Sequence, residues 1–249
     1  FSPLDGYGIL IEGFDHVQNM NMTNYNPSYY PEHLERLGFE KVVDFISHIA
    51  KPESFNMPER VFRITEKIMK RKNIGVQRFR NKAQLLKWVD KIGKTYNDAF
   101  VENWEYWPLT DREIKFVVDQ VILVANPKLI KIITADEDKV IGFLFAFPDV
   151  SKAMQRHKGK LFPFGIIDLI ISLFTSKKVA INGAGVLPAY QGRGGNAVMY
   201  SEMYHTVKNF GFAEAEFTQV AESAVQMRKD LVTLGGKPFK NHRVYSKDI

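Results

Sequence analysis

The chain has 249 residues, of which 45% are hydrophobic and 25% charged, a composition that forms a buried core and excludes disorder. It contains no cysteine, which excludes a disulfide framework, thiol catalysis and cysteine-ligated metal sites. The net charge of +6 and the pI near 9.3 read as a mildly basic solvated surface; nucleic acid or a polyanionic cofactor would need only a local basic patch, and bulk charge does not separate them.

In chain order, Tyr7–Gly13 is an apolar run bounded by glycine, expected to be a buried strand. Residues 19–31 are a loop rich in Asn, Met and Tyr. Pro31–Gly38 predicts a short helix with a glycine stop, and Lys41–Ser47 a strand. Residues 51–60, with two prolines, read as a linker, and Val61–Asn73 as a basic amphipathic helix. Ile74–Arg80 alternates and predicts a strand. Asn81 can cap a helix from Lys82 to about Tyr96. Thr110-Asp-Arg-Glu113 has the form of a capping box opening a helix to about Ala125. Lys131–Ala135 and Lys139–Pro148 predict a hairpin around Asp136-Glu-Asp138. The longest apolar stretch, Leu161–Phe174, contains Pro163, Gly165 and Asp168. It is too short to span a membrane and is expected to be buried or lid-like. Val179–Val186 predicts a strand, Gly195–Phe210 a helix, Phe212–Ala221 a strand, Ser223–Leu234 a helix and Asn241–Lys247 a last strand. A weak internal echo joins the ends: helix, Leu37-Gly38, strand near the start and helix, Leu234-Gly235, strand at the close, 197 residues apart.

The chemistry concentrates in Gly185-Val-Leu-Pro-Ala-Tyr-Gln-Gly-Arg-Gly-Gly-Asn-Ala197. A diphosphate needs several backbone N–H groups presented without crowding side chains. A strand that turns at once into a helix N-terminus supplies them, and the helix dipole adds to the attraction. Gln191-Gly192-Arg193-Gly194-Gly195-Asn196 has three glycines and a cation, followed by Val198, Met199, Met203 and Val207 at helical spacing. The P-loop pattern is absent and the Rossmann pattern does not match. A generic glycine-rich turn is the alternative reading.

Val186-Leu-Pro188 followed by Gln191-Gly-Arg-Gly194 resembles the signature of the GCN5-related N-acetyltransferase superfamily. The element order from Ile74 to Ile249 is similar to that fold, which implies an α/β (α+β) class with a mixed, mostly antiparallel central sheet flanked by helices. The stretches Asn97–Phe100, Asn103-Trp104, Trp107-Pro108, Phe147–Asp149 and Gly159–Gly165 resemble a bacterial branch carrying two acetyltransferase-like repeats. The resemblance therefore implies a remnant of a first repeat over 1–50, a linker and helix over 51–73 and an acyltransferase domain over 74–249. It also implies that the chain starts inside a longer protein or that its first repeat has degenerated.

What the resemblance implies about function is transfer of an acetyl or other acyl group from coenzyme A to an amine. Acetyl-coenzyme A would be held at Val186, Leu187, Gln191, Gly192, Arg193, Gly194, Gly195, Asn196 and Ala197, with a backbone N–H near Val186 or Leu187 polarising the thioester carbonyl. Without cysteine, direct attack in a ternary complex is the route left. The candidate bases are Glu216 and Glu222, each with a salt-bridged or solvated carboxylate as its alternative. Glu214 and Glu216 fall on one face of their strand. Asn103, Trp104 and Trp107 are candidates to line an acceptor pocket, or an aromatic core. Asp149 could orient the amine, or simply shape a Pro-Asp turn. Two departures stand out: Asn196 replaces the usual small residue of the motif, and Leu231 falls where many relatives place a tyrosine acid. The six histidines have no ligand spacing, so no metal is expected.

The alternatives are a catalytically weak coenzyme-A-binding module, or a transferase using another donor such as aminoacyl-tRNA. The expected partner is an amine acceptor, small molecule or peptide, with no membrane and no nucleic acid; a homodimer is left open. No basic-then-apolar leader opens the sequence, so a cytoplasmic location is the expectation.

Overall fold

The computed structural model describes residues 6–19, 23–71, 73–101, 107–136 and 138–248. The class is mixed α/β, with a mostly antiparallel sheet flanked by helices. β1 (Ile9–Glu12), α1 (Tyr30–Arg36) and β2 (Glu40–Ala50) come first. Gly38 ends the α1 turn at φ +81°, the left-handed conformation favoured past a helix. α2 (Glu59–Arg71) and β3 (Ile74–Arg78) follow.

The single helix expected from Lys82 to Tyr96 is in fact two, α3 (Lys82–Leu86), capped by Asn81, and α4 (Val89–Phe100). The chain turns between them where Trp88 packs edge-on against Phe79 of the same unit. Before α5 (Asp111–Val124) the capping box forms in full: Thr110 Oγ1 accepts from Glu113 N–H at 3.3 Å, and Glu113 Oε2 accepts from Thr110 N–H at 2.8 Å. Thr110→Ala should therefore cost about 1 kcal/mol, read as a lower urea midpoint at unchanged slope; an unmoved midpoint would show that the box adds nothing.

β4 (Ile130–Ala135) and β5 (Lys139–Pro148) are the expected hairpin. Then come α6 (Ser151–Arg156), α7 (Gly165–Thr175), β6 (Lys178–Val186), α8 (Gly195–Asn209), β7 (Glu214–Ala221), α9 (Val225–Thr233) and β8 (Lys237–Ser246). The last strand starts earlier than its sequence pattern, because Lys237 and Pro238 pair with Ile49 and His48 of β2.

The chain divides into two compact units. The first comprises residues up to Asn56, Pro148–Asn182 and everything from Gly211; the second comprises Met57–Phe147 and Gly183–Phe210. β6 gives Lys178–Asn182 to the first and Gly183–Val186 to the second.

In the first unit the strand order is β1-β8-β2-β7-β6. The pairs β1–β8, β8–β2 and β2–β7 are antiparallel, and β7 pairs parallel with β6 over Lys178–Ile181 and Glu214–Phe217. The β2–β8 register has an internal two-fold. Glu40 pairs with Ser246; adding 197 to the first number and subtracting it from the second gives Lys237 and Ile49, which also pair. The same shift exchanges Val43–Val244 with Ser47–Lys240 and Asp44–Arg243 with Ile46–Asn241, and it maps Phe45–His242 onto itself. Two β–α–β segments, β1-α1-β2 and β7-α9-β8, thus interleave about the Phe45–His242 pair. Beside it Asp44 accepts from Arg243 at 2.8 and 3.0 Å and from Asn241 at 3.2 Å. Burial opposes ionisation of Asp44, but hydrogen bonds from Arg243, Lys41 and Asn241 outweigh it and hold the carboxyl at about 2.

In the second unit the order is β6-β5-β4-β3. β5 is buried almost throughout, the continuous apolar pattern of a strand covered on both faces. Phe143 stacks on Tyr96 and Phe145 and meets Phe100 edge-on. α8 packs on β4 and α2 packs on α8.

One expectation about packing is overturned. The stretch Leu161–Phe174 is not buried: it leads into and forms α7, which leaves Ile167, Ile171 and Phe174 exposed. Among the described residues no helix is long and apolar enough to cross a membrane.

Candidate active site

The second unit holds the strand-to-helix turn. β6 reaches it through Gly185, where a Cβ would sit 2.8 Å from the Phe143 ring. Val186 is buried, and its carbonyl accepts from Gln191 Nε2 at 3.0 Å. Gln191 therefore braces the strand exit. Leu187 N–H donates to Ile141 O at 2.8 Å, so it is already used in the sheet. Of the two backbone donors expected to polarise a thioester, Leu187 is thus excluded by β5, which completes its hydrogen bonding. Pro188–Tyr190 makes one 3-10 turn, and Arg193 N–H closes back on Tyr190 O at 3.3 Å.

The glycines serve different purposes. Gly192, at φ +64°, faces open space where a Cβ would be. Gly194, at φ +112°, is the left-handed N-cap of α8, and a Cβ there would lie 2.6 Å from Ile68 of α2. At Gly195 a Cβ would lie 2.6 Å from Val186 Cγ1. Gly194 and Gly195 therefore let α8 and its neighbours close up, and Gly192 is the position that leaves room for a ligand. No side chain caps α8, so the N–H groups of Gly195, Asn196 and Ala197 have no intrahelical acceptor. Asn196 Oδ1 is buried without a partner among the described residues, and Ala197 O accepts from Thr65 Oγ1 at 3.4 Å. An uncapped helix start, an open face at Gly192 and the Arg193 cation fit a diphosphate.

The acidic candidates belong to the first unit. Glu216 accepts from Lys240 Nζ at 3.2 and 3.3 Å. The Lys240 side chain is 0% exposed, and its ammonium lies 4.6 Å from the Phe239 ring centre. Burial pushes the Glu216 carboxyl up; Lys240 opposes the rise, and the nearby charge of Asp149 adds to it. Glu222 differs. Its Oε1 accepts from Asp44 N–H at 3.0 Å and its Oε2 from Lys41 Nζ at 2.8 Å, while its carbonyl accepts from Arg228. Both carboxylate oxygens are therefore spent on tying β7 to β2. Asp149 shapes a turn: Oδ1 accepts from Ser151 N–H at 2.8 Å and its carbonyl from Ser176 Oγ at 2.7 Å.

Trp107, in the second unit, is 79% exposed, which removes the aromatic-core alternative for it. Asn103 and Trp104 lie outside the described residues. Among the described residues no group of three or more His, Asp or Glu side chains could hold a metal ion.

No protein-family model matches the chain. It is 25% identical over 252 residues to Protein YghO of Escherichia coli K12, covering 97% of this chain and 62% of that protein. It is 26% identical over 256 residues to the bacterial ceramide synthase of Caulobacter vibrioides, covering 97% of this chain and 63% of that one. The chain thus spans less than two thirds of the length of these curated relatives. Among solved structures, a GCN5-related N-acetyltransferase from Sphaerobacter thermophilus superposes with a TM-score of 0.56 at 15% identity, over 89% of this chain and 56% of that one. The chain has the GCN5-related N-acetyltransferase fold.

Within that fold the turn at Gln191–Ala197 stands where strand passes to helix, as its sequence resemblance implied. Leu231, the residue that the sequence resemblance set against a tyrosine acid, is wholly buried in the first unit. The residue sequence reasoning missed is Lys240. An alternating pattern marks its strand, but only the pairing of β8 with β2, and of β2 with β7, brings it to Glu216.

Proposed function

We propose that the chain transfers an acyl group from a coenzyme A thioester to an amine. The observation that carries this reading is the turn at Gly192–Ala197, with its open glycine face, uncapped helix start and adjacent arginine. The thioester supplies an acyl group already activated for attack. Backbone N–H groups of Gly195, Asn196 and Ala197 hold the diphosphate, and Arg193 adds charge. Attack by the amine nitrogen forms the C–N bond as the C–S bond breaks; the amine gives up a proton to a base, for which Glu216 is the candidate, and the departing thiolate takes one up from solvent. The raised proton affinity of Glu216 suits a base working near neutral pH better than that of an ordinary carboxylate would. The Caulobacter relative is named for ceramide synthesis. A ceramide is an N-acylated amino alcohol, so a long-chain amino alcohol is the first acceptor to test.

Calorimetric titration with acetyl-coenzyme A and a long-chain acyl-coenzyme A tests the donor. Binding at micromolar to submillimolar concentration is expected, and no heat at about 1 mM ligand would end this reading. Gly192→Asn should fold normally, because asparagine tolerates the left-handed region, yet bind about tenfold more weakly because its side chain fills the open face. A second reading follows from Leu231: with no tyrosine acid there, the chain binds coenzyme A without turning over. Normal binding with no thiol release across a panel of amines and amino alcohols would select it.

A further inference from the structure

The first unit carries an apolar surface that the acyl-transfer reading does not use. Residues 161–174 contain eight of the 22 exposed large apolar side chains found among the described residues. That is a patch, where scattered apolar residues would need no explanation. On α7, Ile166, Ile167, Ile170, Ile171 and Phe174 repeat at helical spacing and face outward, Phe174 being 83% exposed. The preceding loop adds Phe162, also 83% exposed.

The segment that forms this face is mostly cationic. From Val150 to Lys178 six lysines and arginines stand against one acid, Asp168. That acid is already answered: Arg156 donates to it at 2.7 and 3.0 Å, and His157 lies 3.0 Å away. Lys152, Lys158 and Lys160 before α7, and Lys177 after it, are exposed. An exposed apolar helix face with lysines on both flanks is complementary to an anionic lipid surface, where side chains enter the acyl boundary and cations meet headgroups. A second copy fits poorly, since a two-fold contact would set like-charged rims together. The helix has 11 residues, about 17 Å of length, so it lies along a bilayer and cannot cross one.

We infer that α7 and the loop before it dock this chain on the surface of an anionic phospholipid bilayer. The inference stands on this surface alone and does not depend on the acyl-transfer reading. It also revises the expectation of no membrane partner, which rested on span length and so excluded only crossing.

Flotation of the 249-residue chain with phosphatidylcholine vesicles, with and without roughly 30 mol% phosphatidylglycerol, tests it at low and high salt. Binding is expected to the anionic vesicles at low salt and to weaken as salt rises. Ile167→Glu/Ile171→Glu should lower it about tenfold or more, and Lys158→Glu/Lys160→Glu should remove the preference for anionic lipid. A Phe174→Trp variant should shift its emission to the blue on anionic vesicles, which reports insertion without loss of the patch. No flotation of the wild-type chain at low salt overturns the proposal, as does equal binding by a folded Ile167→Glu/Ile171→Glu variant. A concentration-dependent dimer dissolved by the same pair of substitutions would assign the face to a second copy and overturn it too.

Discussion

Lys240→Ala is expected to lower the unfolding free energy by about 3–5 kcal/mol, because it leaves the Glu216 carboxylate buried without its cation. Lys240 is held on all sides. Its side chain is wholly buried, its ammonium meets both Glu216 oxygens, and a Cβ on Gly13 would come within 2.9 Å of its Cγ. For a protein of this size the loss corresponds to a fall in melting temperature on the order of 10 °C. The double variant Lys240→Met/Glu216→Leu should recover most of it, since a buried pair replaced by apolar side chains of similar volume is close to neutral. Urea unfolding of wild type, single and double variants measures both. A single-variant loss below about 1 kcal/mol would mean that water reaches the carboxylate and the pair is of the exposed kind.

Glu216→Gln should reduce kcat by about 10²–10⁴ with the acyl-coenzyme A dissociation constant unchanged. The pH profile separates a base from a merely structural partner of Lys240. A base must be deprotonated to work, and burial raises the Glu216 carboxyl above its ordinary value of 4.5. In the wild type, kcat/KM should therefore rise with pH through an ionisation displaced upward from that value, and this limb should vanish in Glu216→Gln. Rates are to be compared well below the melting temperature of both proteins, because the amide also weakens the contact with Lys240. Retention of kcat within about threefold would leave Glu216 a structural partner. Glu222→Gln, whose residue ties β7 to β2 through Asp44 and Lys41, should change stability and leave kcat near wild type.

What could be read in the chain was local. The Thr110 capping box, the β4–β5 hairpin, the glycine stops after α1 and α9 and the β6–α8 turn each depend on residues within a few positions of one another. In this fold their local side-chain and backbone preferences agree with the tertiary setting. The 197-residue echo was visible as a spacing, but its meaning was not: only the β2–β8 register shows that the two halves of the echo pair with each other about Phe45–His242. The break at Trp88 also escaped, since Trp88 packs on Phe79, nine residues back and just past the end of β3.

By itself the sequence determined the position of the glycine turn and the absence of cysteine chemistry, because composition and short-range pattern suffice for these, and the α/β class followed from the resemblance of its motif and element order to a known family. The tertiary structure decided which groups are available. It spent Leu187 N–H on Ile141, tied Glu222 to Lys41 and Asp44, set Glu216 against a buried lysine and left the α7 isoleucines facing outward. Each of these depends on strand pairing or burial between residues far apart in the chain, and neither a residue's type nor its near neighbours encode which partner will use its hydrogen bonds or cover its surface.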